Sequence, residues 1–220
     1  MSARVDRTLL AGLLAAALLL AAADVLEVSA KAKLKPAREE ELLYYPSGMF
    51  VREAALGYET AAADIAWLRG IQYYGEHRLT DQKYDMIGHV MEIVTTLDPH
   101  FEQPYVFGAF VLAQELRQPE RGLDLLERGF RANPDDWRFA FEIGFLHYVC
   151  RHDYPAAGRY FTLASRMPGH ADYAERFAAF THERAGNRDL AVLLWKRVLA
   201  TGNPYMQDVA RRELRILGAI

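Results

Sequence analysis

Four times the chain sets apolar or small residues at i, i+3, i+4 and i+7 and then closes on a proline. The sets are Ile87/Val90/Met91/Val94, Gly122/Leu125/Leu126/Gly129, Ala157/Tyr160/Phe161/Ala164 and Ala191/Leu194/Trp195/Val198, beginning 35, 35 and 34 residues apart. Asp98-Pro99, Asn133-Pro134, Met167-Pro168 and Asn203-Pro204 end them. Residues at this spacing share one stripe of an α-helix. A stripe recurring every 34 or 35 residues leaves room for one further helix and two turns per unit. Such a unit cannot bury its own apolar face and must stack on its neighbours. The fold class expected is therefore all-α: about four stacked helical hairpins.

The partner helices fall where this arithmetic puts them. Apolar segments occupy Ala62–Tyr74, Pro104–Leu116, Trp137–Val149 and Tyr173–Arg184, each with one small residue at a comparable place: Gly70, Gly108, Gly144 and Ala178. Small side chains let neighbouring helices approach closely. Pro119 and Pro155 suit the first turn of a helix, and Gly186 followed by Asn187 suits a helix end and a polar turn. The first pair has a longer turn, His77–Lys83, with Asp81 as the expected N-cap. Ahead of it, Gly57 breaks a short helix from the first repeat helix. Tyr205–Leu217 supplies a last amphipathic helix that closes the end of the stack.

These features resemble the tetratricopeptide repeat family. Its small–large–small pattern is matched by Ala157/Phe161/Ala164 and in part by Ala191/Trp195/Val198, and its closing proline by Pro99, Pro134 and Pro168. Trp67-x-x-Gly70-x-x-Tyr73 is the nearest match to its first-helix signature. The resemblance covers residues 60–204 and implies a right-handed stack with the first helices lining the concave face. On that face it implies a groove for a protein or peptide, with Tyr74, Tyr105, Arg138, Phe141, Phe145, Tyr148 and His182 as its lining. Arg138 and Tyr148 have polar tips, and a mixture of tyrosine, arginine and phenylalanine is what interfaces favour.

The N-terminus reads differently. Arg4 and Arg7 precede the uncharged run Thr8–Ala23, and Thr8–Val28 is 21 residues, roughly 30 Å of helix. Residues 1–29 are expected to be a transmembrane anchor or a signal segment, the latter fitting Ala21-Ala22-Ala23 before Asp24. The anchor is preferred, with the repeat domain extracytoplasmic. Lys31, Lys33, Lys35 and Arg38 on the far side weigh against that orientation, and a secreted or periplasmic product after cleavage is the alternative. Residues 30–48 read as a linker and 49–220 as the TPR-like domain.

Chemistry leaves little trace. A net charge of -3 gives no basic face for nucleic acid, and one cysteine, Cys150, excludes an intrachain disulfide. His147, Cys150 and His152 lie close together but lack a further ligand at a recognised spacing, so no metal and no cofactor is expected. No P-loop, G-x-S-x-G, H-E-x-x-H or G-x-G-x-x-G motif occurs. The expected function is a membrane-tethered, non-enzymatic adaptor or scaffold that holds a protein or peptide partner in an envelope complex. Two alternatives stand beside it: an enzyme or enzyme subunit with a pocket near Asp64, Glu76 and His77, and a structural subunit permanently packed against a membrane protein.

Overall fold

In the computed structural model, residues 47–220 are described, and within them the chain is all helical. The N-terminal apolar segment lies outside the described residues. Among those that are described, no helix is long and apolar enough to cross a membrane. Ten α-helices follow in order: α1 Gly48–Ala54, α2 Glu59–Leu79, α3 Ile87–Leu97, α4 Glu102–Phe110, α5 Pro119–Ala132, α6 Trp137–Leu146, α7 Tyr154–Ala164, α8 Tyr173–Arg184, α9 Arg188–Thr201 and α10 Pro204–Ile216. Each helix from α2 onward packs on the next, and α1 rests on α3. The result is four hairpins, α2/α3, α4/α5, α6/α7 and α8/α9, closed by α10.

The striped residues form the seam. Ile87, Val90, Met91 and Val94 are buried, as are Ala157, Phe161, Ala164, Ala191, Leu194, Trp195 and Val198. Small residues on both helices of the hairpins allow this approach. A Cβ on Gly108 would meet Met91 Cγ at 2.6 Å, and one on Gly129 would meet Phe139 Cε1 at 2.3 Å. Buried polar groups hold the last hairpin together. Glu175, 7% exposed, takes Arg197 Nε on Oε1 at 3.1 Å and Thr201 Oγ1 on Oε2 at 3.0 Å. A buried carboxylate paired in this way avoids the desolvation penalty of an isolated charge.

The repeat recurs in the turns as well. Asn133 Nδ2 donates to the Pro99 carbonyl at 3.0 Å, and its Oδ1 pairs with His100 Nδ1 at 2.8 Å, so consecutive closing turns are clasped 34 residues apart. The first helices of the second and third hairpins run on into π-helical turns, Val111–Glu115 and His147–Arg151. Arg117, His152 and Gly186 then adopt left-handed φ values of 55°, 53° and 78°. The next residue of each donates back into the helix: Gln118 to Leu112, Asp153 to His147 and Asn187 to His182. This satisfies carbonyls that a helix end leaves open.

One local expectation is corrected. Asp81 does not cap α3, whose N-cap is Met86. Its carboxylate instead takes His77 Nδ1 at 2.5 Å and the Lys83 amide at 3.2 Å, because the turn extends several residues beyond Asp81 before the helix begins. Asp136, by contrast, caps α6 and accepts from the Arg138 amide at 3.0 Å.

Candidate partner-binding groove

Trp67, Glu102, Trp137 and Tyr173 stand 35, 35 and 36 residues apart. They occupy α2 and the opening turns of α4, α6 and α8, and all four line one cavity of about 460 Å³. The repeat period therefore builds a column along the face made by the first helices. Toward the N-terminal hairpins, Trp67 stands edge-on to Phe101 at 5.7 Å and to Phe107 at 5.5 Å. Toward the C-terminal hairpins, Trp137 stands edge-on to Tyr173 at 5.8 Å, and Tyr173 meets Phe141 at 5.1 Å. Edge-to-face contacts of this kind hold rings in fixed orientation, so the aromatic walls are preorganised.

Charge lies between the walls. Arg138 Nη1 pairs with Glu102 Oε2 at 2.5 Å, while its Nε and Nη2 hold the two oxygens of Asp136 at 2.9 and 2.7 Å. Burial raises the pKa of Glu102, Arg138 counters this and the charge of Asp136 adds to it, leaving a net rise. For Asp136 burial also opposes ionisation, but its hydrogen bonds to Arg138 together outweigh it and hold the carboxyl below its usual range. The Arg138 guanidinium is pushed up, first by its bond to Asp136.

Glu142 also lines the cavity, one turn beyond Arg138. Among the described residues it has neither a hydrogen bond nor an ion pair. Burial first, and the charge of Glu102 second, push its carboxyl up to about 7. Tyr173 is raised in turn, by burial and by the charge of Glu142. Two carboxylates thus share one guanidinium, and Glu142 stands beside them without a partner.

A second cavity of about 280 Å³ lies toward the C-terminal end, lined by Phe177, Phe180, Trp195 and Val209 with Arg176, Arg212 and Glu213. Arg184 covers Tyr148, Tyr154 and Phe180 at 5.7, 5.8 and 5.0 Å from the ring centroids. The acidic cavity and this arginine-rich one give the C-terminal half of the stack a different charge from the middle.

The residues expected from sequence divide. Arg138 lines the groove. Tyr74 supports its wall, stacked on Tyr84 and edge-on to Phe107, both at 5.0 Å. Phe145 is half-buried against Phe110 at 5.7 Å, and Tyr148 sits under Arg184. Phe141 is 8% exposed and backs the Trp137–Tyr173 wall from the core. Tyr105 is buried edge-on against Phe139, with its hydroxyl donating to the Thr95 carbonyl at 3.5 Å. His182 is buried over Gly158, with Nε2 on Thr162 Oγ1 at 3.0 Å. Tyr105 and His182 are thus packing residues: the seam takes the ring on the side where the neighbouring glycine leaves space.

Trp67, Glu102, Gln103, Val106, Phe107, Trp137, Glu142 and Tyr173 are the lining residues absent from that expectation. The signal that finds four of the eight is the repeat period applied to Trp67 itself. Asp64 is exposed on α2, twelve residues from Glu76, which is about 18 Å along a helix. His77 is taken by Asp81 and packs on Tyr73 at 4.3 Å. Asp64, Glu76 and His77 therefore do not converge. Among the described residues no cluster of His, Cys, Asp and Glu is arranged to hold a metal ion.

No family model matches the chain, and neither a curated protein nor a solved structure is similar to it.

Proposed function

We propose that the chain is a non-enzymatic, TPR-like binding module whose groove, formed by α2, α4, α6 and α8, grips a protein or peptide segment. In this reading the hairpins form a right-handed stack, and the N-terminal apolar segment holds it at a membrane with the repeats on the extracytoplasmic side. The protein then acts as an adaptor or assembly scaffold of an envelope complex. The observation that carries the reading is the column Trp67, Glu102, Trp137 and Tyr173, which opens a cavity of about 460 Å³ across four hairpins. Aromatic walls with a few charged groups between them are what peptide-binding surfaces use to combine contact area with orientation.

Site-specific photocrosslinking tests it. Benzoylphenylalanine is placed at Gln103 in the groove and, separately, at Asp124 on α5. Both positions are exposed. Membrane-protein adducts are expected from position 103 alone; equal labelling from both positions removes the groove.

One observation favours the structural-subunit reading. Met49 and Phe50 on α1 are 70% and 59% exposed, and Ile65 and Leu68 on α2 are 57% and 60% exposed. Exposed apolar side chains on the first two helices suit permanent contact with another protein. Replacing Ile65 and Leu68 with glutamate should then release the chain from its complex on native gels while leaving groove adducts intact.

A further inference from the structure

The groove's chemistry narrows what it holds. Resting on the peptide-binding reading, we propose that the cavity is a receptor for a cationic side chain, lysine or arginine, of the bound segment, with Glu142 as its counter-charge and Trp137 and Tyr173 as its walls. Arg138 is already shared by Asp136 and Glu102, so the net charge of the groups facing the cavity is negative. Glu142 is a carboxylate with no protein partner in a half-buried position, an arrangement that is unfavourable until a donor arrives. A cation placed beside it gains a charge-assisted hydrogen bond and lies against indole and phenol faces. Anionic ligands meet the opposite situation, because the only guanidinium lining this cavity is occupied.

Partner charge complements the site in a pH-dependent way. The titratable and charged groups that line the cavity with Glu142 are Glu102 on α4, Arg138 on α6 and Tyr173 on α8. Burial and the charge of Glu102 raise the Glu142 carboxyl to about 7. Its ionised form takes the cation, so binding strengthens as pH rises through about 7 and weakens below it.

The test uses the full-length protein in nanodiscs and a random dodecapeptide phage library, panned against wild type at pH 8. Clones enriched in the groove are expected to share a lysine or arginine at one position. For a synthetic peptide of the best clone, replacing that residue by norleucine should weaken binding to wild type by about tenfold or more. The same replacement should change binding to Glu142→Gln by less than about twofold, since the cycle isolates the pair. Enriched clones that lose binding to Trp137→Leu but carry no shared cation leave the groove standing and overturn the cationic receptor. Clones whose lysine matters equally to wild type and Glu142→Gln overturn the role of Glu142. Failure to enrich any clone sensitive to Trp137→Leu overturns both readings.

Discussion

Arg138 reaches back across a hairpin boundary to Glu102, Nη1 to Oε2 at 2.5 Å, while the rest of its guanidinium grips Asp136 at the N-cap of its own helix. The contact joins α4 to α6 and at the same time neutralises part of the groove. Removing it therefore has two consequences of different size. The guanidinium is half exposed, and exposed pairs contribute about 0.2–1 kcal/mol each, so Arg138→Ala should lower stability only slightly. The cavity meanwhile loses the one guanidinium that lines it. A cationic peptide selected on wild type should bind Arg138→Ala about threefold to tenfold more tightly by fluorescence anisotropy. Weaker binding would mean that Arg138 itself touches the ligand.

Glu142 links stability to pH in the opposite direction from a paired carboxylate. Its carboxyl is raised from an ordinary 4.5 to about 7 in the folded chain. Below pH 4.5 it is protonated in both states and has no effect. Between 4.5 and 7 the unfolded chain ionises first, so stability falls as pH rises, and above 7 the loss is constant. Allowing for solvent screening of a half-buried group, the loss is about 1–3 kcal/mol. Glu142→Gln should therefore raise the melting temperature at pH 8 by several degrees, at about 2–4 °C per kcal/mol, and leave it unchanged near pH 4. Calorimetry at the two pH values decides; an equal rise at both would point to packing instead of charge.

The architecture was legible because its signal is repeated. One amphipathic stripe is ambiguous, but four at a constant interval, each with a small residue on the opposing helix, admit few packings other than stacked hairpins. The helix ends were only partly legible. Gly186 announces a left-handed residue, whereas Arg117 and His152 adopt the same conformation without a glycine, and the π-helical turns ahead of them have no local signature. The groove was less legible again. Aromatics near the glycines were expected on the open face, yet Tyr105 and His182 fill the seam, because a ring beside a glycine is drawn into the space that the missing side chain leaves. Glu142 could not be singled out either. A glutamate on a helix reads as solvated until Trp137, Tyr173 and Glu102 are brought around it by three separate hairpins.

Two histidines make the fold sensitive to acid. His147, with an unsatisfied Nδ1, and His182, bonded to Thr162, are both buried, and burial lowers both pKa values below 6.5. As pH falls below 6.5 the unfolded chain binds protons first, so stability is lost until the folded pKa values are passed. His182→Gln should cost about 1–3 kcal/mol at pH 8, by disturbing the Thr162 bond and the packing over Gly158. It should also flatten the decline between pH 7 and 5. Urea midpoints measured across that range in the Glu142→Gln background, which removes the opposing trend, give the slope directly. An unchanged slope would assign the acid sensitivity elsewhere.

The closeness of the seam is testable at two glycines on helices. Alanine in a helix interior gains about 0.5–1 kcal/mol over glycine. At Gly75 on α2 an added Cβ meets nothing within 4 Å, so Gly75→Ala should show that gain. At Gly129 on α5 the same atom would lie 2.3 Å from Phe139 Cε1 and 2.9 Å from Tyr105 Cδ1. Phe139 is fully buried and Tyr105 nearly so, so neither ring has open space to move into. Overpacking of this kind costs about 1–3 kcal/mol, more than the helical gain. Gly129→Ala should therefore lower the urea midpoint while Gly75→Ala raises it. If both variants were stabilised, the α4/α5/α6 seam would be loose enough to accept a methyl group, and close approach at Gly129 would not be what sets the spacing of the hairpins.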